Sequence, residues 1–93
     1  MSPAEFEATL KADNFGEIVP VERPAGYAMG EHTHTFDACA LITSGEFTLQ
    51  VNGVSTTYAA GDIFRLSAGT PHHESAGPAG ATYLAGRREM GAS

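Results

Sequence analysis

Tryptophan is absent from this 93-residue chain, and cysteine occurs once. A lone Cys39 cannot close an intrachain disulfide, which fits a reducing compartment and points to the cytoplasm. Positive charge is scarce: five Lys and Arg stand against eleven Asp and Glu, for a net charge of −6. A surface so poor in cations excludes non-specific nucleic-acid binding, which needs Lys and Arg gathered against phosphates. It disfavours an anionic membrane surface for the same reason. No run of 18 apolar residues occurs, so no membrane-spanning helix is expected. The first fifteen residues carry Glu5, Glu7, Lys11 and Asp13 and no apolar stretch, so no secretory leader is expected. What remains is a small acidic domain, single over 1–93, with space for one modest core.

Glycine and proline punctuate the chain at short intervals, and only the first segment reads as helix. Ser2 and Pro3 form an N-cap with proline at the first helical position, and Glu5 lies three residues past the cap. Phe6 and Leu10 give one apolar stripe over a helix spanning 2–13, which Gly16 closes. From residue 17 the pattern is that of strands. Pro20 and Pro24 mark Ile18–Arg23 as an edge strand, because proline cannot donate to a central ladder. Ala38 to Thr43 reads as a short apolar strand closed by Ser44-Gly45. Asn52-Gly53 between EFTLQV and VSTTY predicts a type I′ hairpin, with Phe47, Leu49 and Val51 sharing a face with Val54, Thr56 and Tyr58. Phe64 and Leu66 share a face in IFRL. A loop-like stretch from Ser67 to Gly80 leads to a last strand, Ala81 to Ala85, and 87–93 reads as a polar tail. Short strands and frequent turns predict an all-β sandwich or barrel over 17–86.

The four histidines fall in two pairs. In a strand, His32-Thr33-His34 would put both imidazoles on one face, about 7 Å apart along the chain. Neutral imidazoles converging this way chelate divalent metals, but two are too few for tight binding. The third must be His72 or His73.

The stretch GYAMGEHTHTFDACALITSG, from Gly26 to Gly45, resembles the first conserved motif of the cupins, with Gly26, His32, His34 and Gly45 in register. GDIFRLSAGTPHHESA, from Gly61 to Ala76, resembles their second motif, with Gly61, Gly69 and His72 in register. Ser67 replaces the motif's proline, and Ala76 its asparagine. The resemblance covers about two thirds of the chain. It implies a double-stranded β-helix, the jelly-roll or cupin barrel, of about eight to ten strands with a short N-terminal helix. It also implies one divalent metal ion held by His32, His34 and His72, with His73 pointing the other way.

The chain departs from that pattern where the family has a glutamate ligand and this sequence has Ala38. Asp37 is one residue out of register, and strand alternation turns it away. Either Asp37, rotated in by a bulge, or a water would complete the shell. Cys39 reads as a small buried apolar residue. Glu31, Asp62 and Glu74 flank the motifs without an assigned role, and Glu74 reads as a solvated strand residue. Tyr27, Tyr58 and Tyr83 read as wall residues. Fe, Zn, Ni, Mn and Cu all accept three imidazoles. The three-histidine variant of the family includes iron-dependent oxygenases. The resemblance therefore implies a metal-dependent small-molecule enzyme of Fe(II) dioxygenase-like type. The alternatives are a non-catalytic ligand-binding or sensing cupin with structural metal, and a metal-dependent isomerase or lyase. Ile42, Phe47, Leu49, Phe64 and Leu66 are expected to face inward. A homodimer is expected through the Ile18–Arg23 edge and the Phe6 and Leu10 stripe.

Overall fold

Ser2 opens helix α1 (Pro3–Ala12) in the computed structural model, which describes residues 1–89. Its Oγ accepts from the Glu5 backbone N–H at 3.2 Å, and the Glu5 carboxylate accepts from the Ser2 N–H at 3.0 Å. This reciprocal box satisfies two donors that a helix start leaves unpaired. Phe6 and Leu10 are fully buried beside Cys39 and Leu41. Leu10 docks where Gly86 leaves space, since a Cβ there would overlap the leucine side chain. The stripe expected to cover a partner's edge is therefore used up within the chain. Among the described residues no helix is long and apolar enough to cross a membrane.

Six strands follow: β1 (Ile18–Arg23), β2 (Ala28–His32), β3 (Phe36–Val51), β4 (Val54–Ala59), β5 (Ile63–Leu66) and β6 (His72–Glu89). All their pairings are antiparallel. β6 pairs with β1, β2 and β3, and β3 pairs with β4, β5 and β6. The fold is the expected double-stranded β-helix, but its strands number six among the described residues, not eight to ten. Two of them are long and serve both halves of the barrel. β3 joins Ala38–Thr43 to Glu46–Val51 across Ser44-Gly45, and β6 takes in the stretch from His72 that reads as loop in the sequence. Gly45 and Gly80, with φ of 74° and 77°, let the two strands bend without ending. The β3–β6 register shifts at this bend, between Ile42 and Ser44 and again between Gly45 and Phe47. A Cβ on Gly45 would press into the backbone of Gly80.

The expected polar tail is corrected in the same way. Residues 87–89 belong to β6 and pair with Phe36, Asp37 and Ala38 of β3. The two cations have partners there: Arg87 lies 4.3 Å over the Phe36 ring, and Arg88 donates to Asp37 at 3.0 and 3.2 Å. The rest of that tail, 90–93, lies outside the described residues.

Alternation along β3 separates two cores. Cys39 and Leu41 face α1, whereas Ala40 and Ile42 face the barrel interior with Phe47, Leu49, Phe64, Leu66, Ala81 and Tyr83. The whole expected inward set is in that interior cluster. The hairpin turns at Asn52 and Gly53 with φ of 52° and 78°, as a type I′ turn requires. Phe47, Leu49 and Val51 stand opposite Tyr58, Thr56 and Val54. Val54 is nevertheless 65% exposed, because the hairpin tip extends beyond the core.

Candidate metal centre

His32 is the last residue of β2, and His34 lies beyond it in the connection to β3. The extended H-x-H strand expected from the sequence is thus cut short. The β2–β6 register shifts between Met29 and His32, and the two imidazole rings come to 5.1 Å. His72 opens β6 directly opposite His32, with ring centroids 4.2 Å from His32 and 5.0 Å from His34. One ligand nitrogen from each ring lies within 4.8 Å of the others. His73, the next residue along β6, is exposed on the other side beside Gln50 and Pro71.

Two backbone carbonyls define the state of the rings. His32 Nδ1 lies 2.8 Å from the Gly30 oxygen, and His72 Nδ1 lies 2.9 Å from the Thr70 oxygen. A carbonyl only accepts, so each Nδ1 carries a proton, and in the neutral ring the lone pair is on Nε2. Both Nε2 atoms are buried without a hydrogen-bond partner, as is Nδ1 of His34. Buried polar atoms left without partners are costly, and a divalent cation is a partner that all three nitrogens accept. Metal-ligating histidines are commonly oriented by such carbonyl contacts. His34 stacks on Phe36 at 4.7 Å. Its burial, with His72 and His32 nearby, holds its pKa below the usual imidazole value and favours the neutral, ligating form. The donor set therefore fits a divalent ion.

Glu74 was missed in the sequence. It is 9% exposed, not solvated, and its Oε1 accepts from Tyr27 Oη at 2.6 Å. Its Oε2 lies 3.4 Å from His72 Nε2 and 3.7 Å from His32 Nε2. The available signal was parity, since residues 72 and 74 share a strand face. Burial pushes the Tyr27 hydroxyl up to about 12, and the hydrogen bond to Glu74 adds to the shift. Backbone bonds fix Tyr27 from both sides: its N–H donates to Pro24, and its carbonyl accepts from Ala76.

Ala38 lines the cavity. Asp37 points elsewhere, accepting from the Ala68 N–H at 2.8 Å and from Arg88. Those bonds, Ala68 first, hold its carboxyl below the usual carboxylate range. Cys39 is fully buried, and burial pushes its thiol pKa up.

His32, His34 and Glu74 border a cavity of about 180 Å³. Its apolar wall includes Val21, Ala40, Phe64 and Leu66, and its polar lining adds Arg23, Tyr83 and Arg87. Arg23 lies 4.6 Å over the Tyr27 ring, and its Nε donates to Tyr83 Oη at 3.4 Å. Among the described residues neither Arg23 nor Arg87 pairs with a carboxylate.

Residues 21–84 match the family model described as "Cupin domain". Among solved structures, an RmlC-like cupin from Shewanella frigidimarina is similar at 23% identity and a TM-score of 0.67, over 81% of this chain and 67% of its own. The EutQ protein of Clostridium difficile is similar at 13% identity and a TM-score of 0.71, over 88% of this chain and 63% of its own. A protein described as a predicted oxalate decarboxylase from Thermotoga maritima is similar at 22% identity and a TM-score of 0.67, over 90% of this chain and 73% of its own. These likenesses are of fold, and each of those proteins is longer than the segment matched. None of the curated proteins matches the chain.

Proposed function

The chain belongs to the cupin family, and from that premise we propose a metal-dependent small-molecule enzyme of dioxygenase-like type, with one divalent ion on His32, His34 and His72. The observation that carries this reading is the convergence of three partnerless imidazole nitrogens beside a cavity. A bound ion supplies a Lewis acid there and, as iron(II), redox chemistry with dioxygen. The chain's own residues do the rest. The Gly30 and Thr70 carbonyls hold two imidazoles in the ligating tautomer. Arg23 and Arg87 offer guanidinium groups to a substrate anion, and Phe64 and Leu66 keep water from its body. A cavity of about 150 Å³ holds benzene, so the 180 Å³ here suits a compact ligand. The expected substrate has an apolar body and a negative head group. The lone, buried Cys39 supports a cytoplasmic setting, and the edge of β1 that no strand covers among the described residues supports a homodimer.

Elemental mass spectrometry of protein purified without an affinity tag, beside His32→Ala, tests the centre. About one metal per chain is expected, with both the metal and several degrees of melting temperature lost in the variant. Oxygen uptake by the iron(II)-loaded protein with small organic acids, thiols and β-diketones then tests the activity. Turnover without oxygen uptake would replace the dioxygenase reading with an isomerase or lyase. Tight zinc without turnover would replace it with a ligand-binding or sensing role. A chain that takes up no metal would end the enzyme reading.

A further inference from the structure

On the basis of the metal reading above, we propose that Glu74 is the carboxylate ligand of this centre, supplied by β6 in place of the glutamate that β3 lacks. At position 38 the cavity wall presents only a methyl group, and Asp37 is held away by Ala68 and Arg88. Glu74 is buried and follows His72 by two residues, so strand alternation puts both on one face.

The two oxygens of Glu74 have different surroundings. Oε1 is held by the Tyr27 hydroxyl at 2.6 Å. Oε2 faces His72 Nε2 at 3.4 Å and His32 Nε2 at 3.7 Å, and neither contact is a hydrogen bond. With the ring protons on Nδ1, these are lone pairs facing a carboxylate oxygen, an arrangement that a shared cation relieves. Donors about 2.1 Å from a common ion stand about 3.0–3.4 Å from one another. Glu74 Oε2 is at the edge of that range from His72 Nε2 and just outside it from His32 Nε2, and the three imidazole nitrogens lie within 4.8 Å of one another. Tyr27 is a positioning residue that leaves Oε2 free for the ion. The donor set would then be three histidines and one carboxylate.

Cobalt(II) binding to the full chain tests this, by competition with a chelator and by the visible absorption that reports coordination number. The wild type is expected to bind one cobalt. Glu74→Gln should weaken binding about 100-fold and change the spectrum, whereas Tyr27→Phe should cost about 10-fold and keep the spectral type. Ala38→Glu added to Glu74→Gln should restore most of the affinity, because position 38 lines the same cavity. If Glu74 is only the counter-ion of a protonated imidazole, Glu74→Gln will bind cobalt as tightly as the wild type with the same spectrum, and the proposal is overturned. Where Glu74→Gln does not fold, Glu74→Asp decides: weaker binding supports the ligand role, and unchanged affinity and spectrum overturn it. A wild type that binds no cobalt removes the three-histidine reading itself, a different outcome from a centre that ignores Glu74.

Discussion

His72 and His73 are adjacent in the sequence and opposite in the barrel: one is 1% exposed among the clustered imidazoles, the other is on the outer surface. His72→Ala should therefore abolish metal binding, whereas His73→Ala should leave metal content within experimental error of the wild type. Elemental analysis of the two variants side by side checks this, and the reverse result would shift the ligand register by one residue. The clustering of residues 32, 34 and 72 was legible because motif spacing selects all three, whereas the spacing of the pairs alone left His72 and His73 open. Parity put Glu74 on the face of His72, but its burial was not legible. A carboxylate on a strand beside a wet loop has the same local sequence whether it is buried or solvated. What buries it is Tyr27, which reaches it from 47 residues away, and no local pattern records that contact.

At the scale of elements, the helix cap, the edge strand β1 and the hairpin were legible because each rests on neighbouring residues. The lengths of β3 and β6 were not. Gly45 and Gly80 look like turn residues, yet both are bends inside strands that pair on either side. Arg87 and Arg88 look like a solvated tail, yet Phe36 and Asp37 receive them. Asp37 ties three pieces together: β3, the Ala68 loop and the end of β6. Its folded pKa is depressed, so the unfolded chain binds the proton more readily. The stability it contributes is present above the ordinary carboxylate value and is lost as pH falls through the lower folded value. Asp37→Asn should lower the melting temperature at pH 7, with a difference from the wild type that shrinks as pH approaches 3. A thermal denaturation series across that range checks the sign, and a constant difference would assign the loss to packing.

The whole molecule leaves one side of β1 without a strand partner among the described residues, since β1 pairs with β6 alone. Pro20 lies in its middle, and Val19 is 40% exposed. Proline blunts such an edge without closing it. Because Phe6 and Leu10 are committed to the chain's own core, the proposed homodimer is expected through β1 and not through the helix. Light scattering should report a dimer, and Val19→Lys should shift it towards monomer with the fold intact. A wild-type monomer at working concentration would remove this expectation.

β6 has a kinetic consequence. It carries His72 at one end and the Leu10 dock at Gly86 near the other, and its partners on β1 and β3 lie tens of residues away, as in Ile18↔Gly86 and Phe36↔Glu89. Ladders between such distant segments form late and slowly, because loop entropy must be lost before any pairing is gained. The imidazole of His72 meets His32 through the β2–β6 pairing at the other end of the same strand, again across tens of residues. An ion that arrived before that pairing formed would find only His32 and His34 of the three imidazoles.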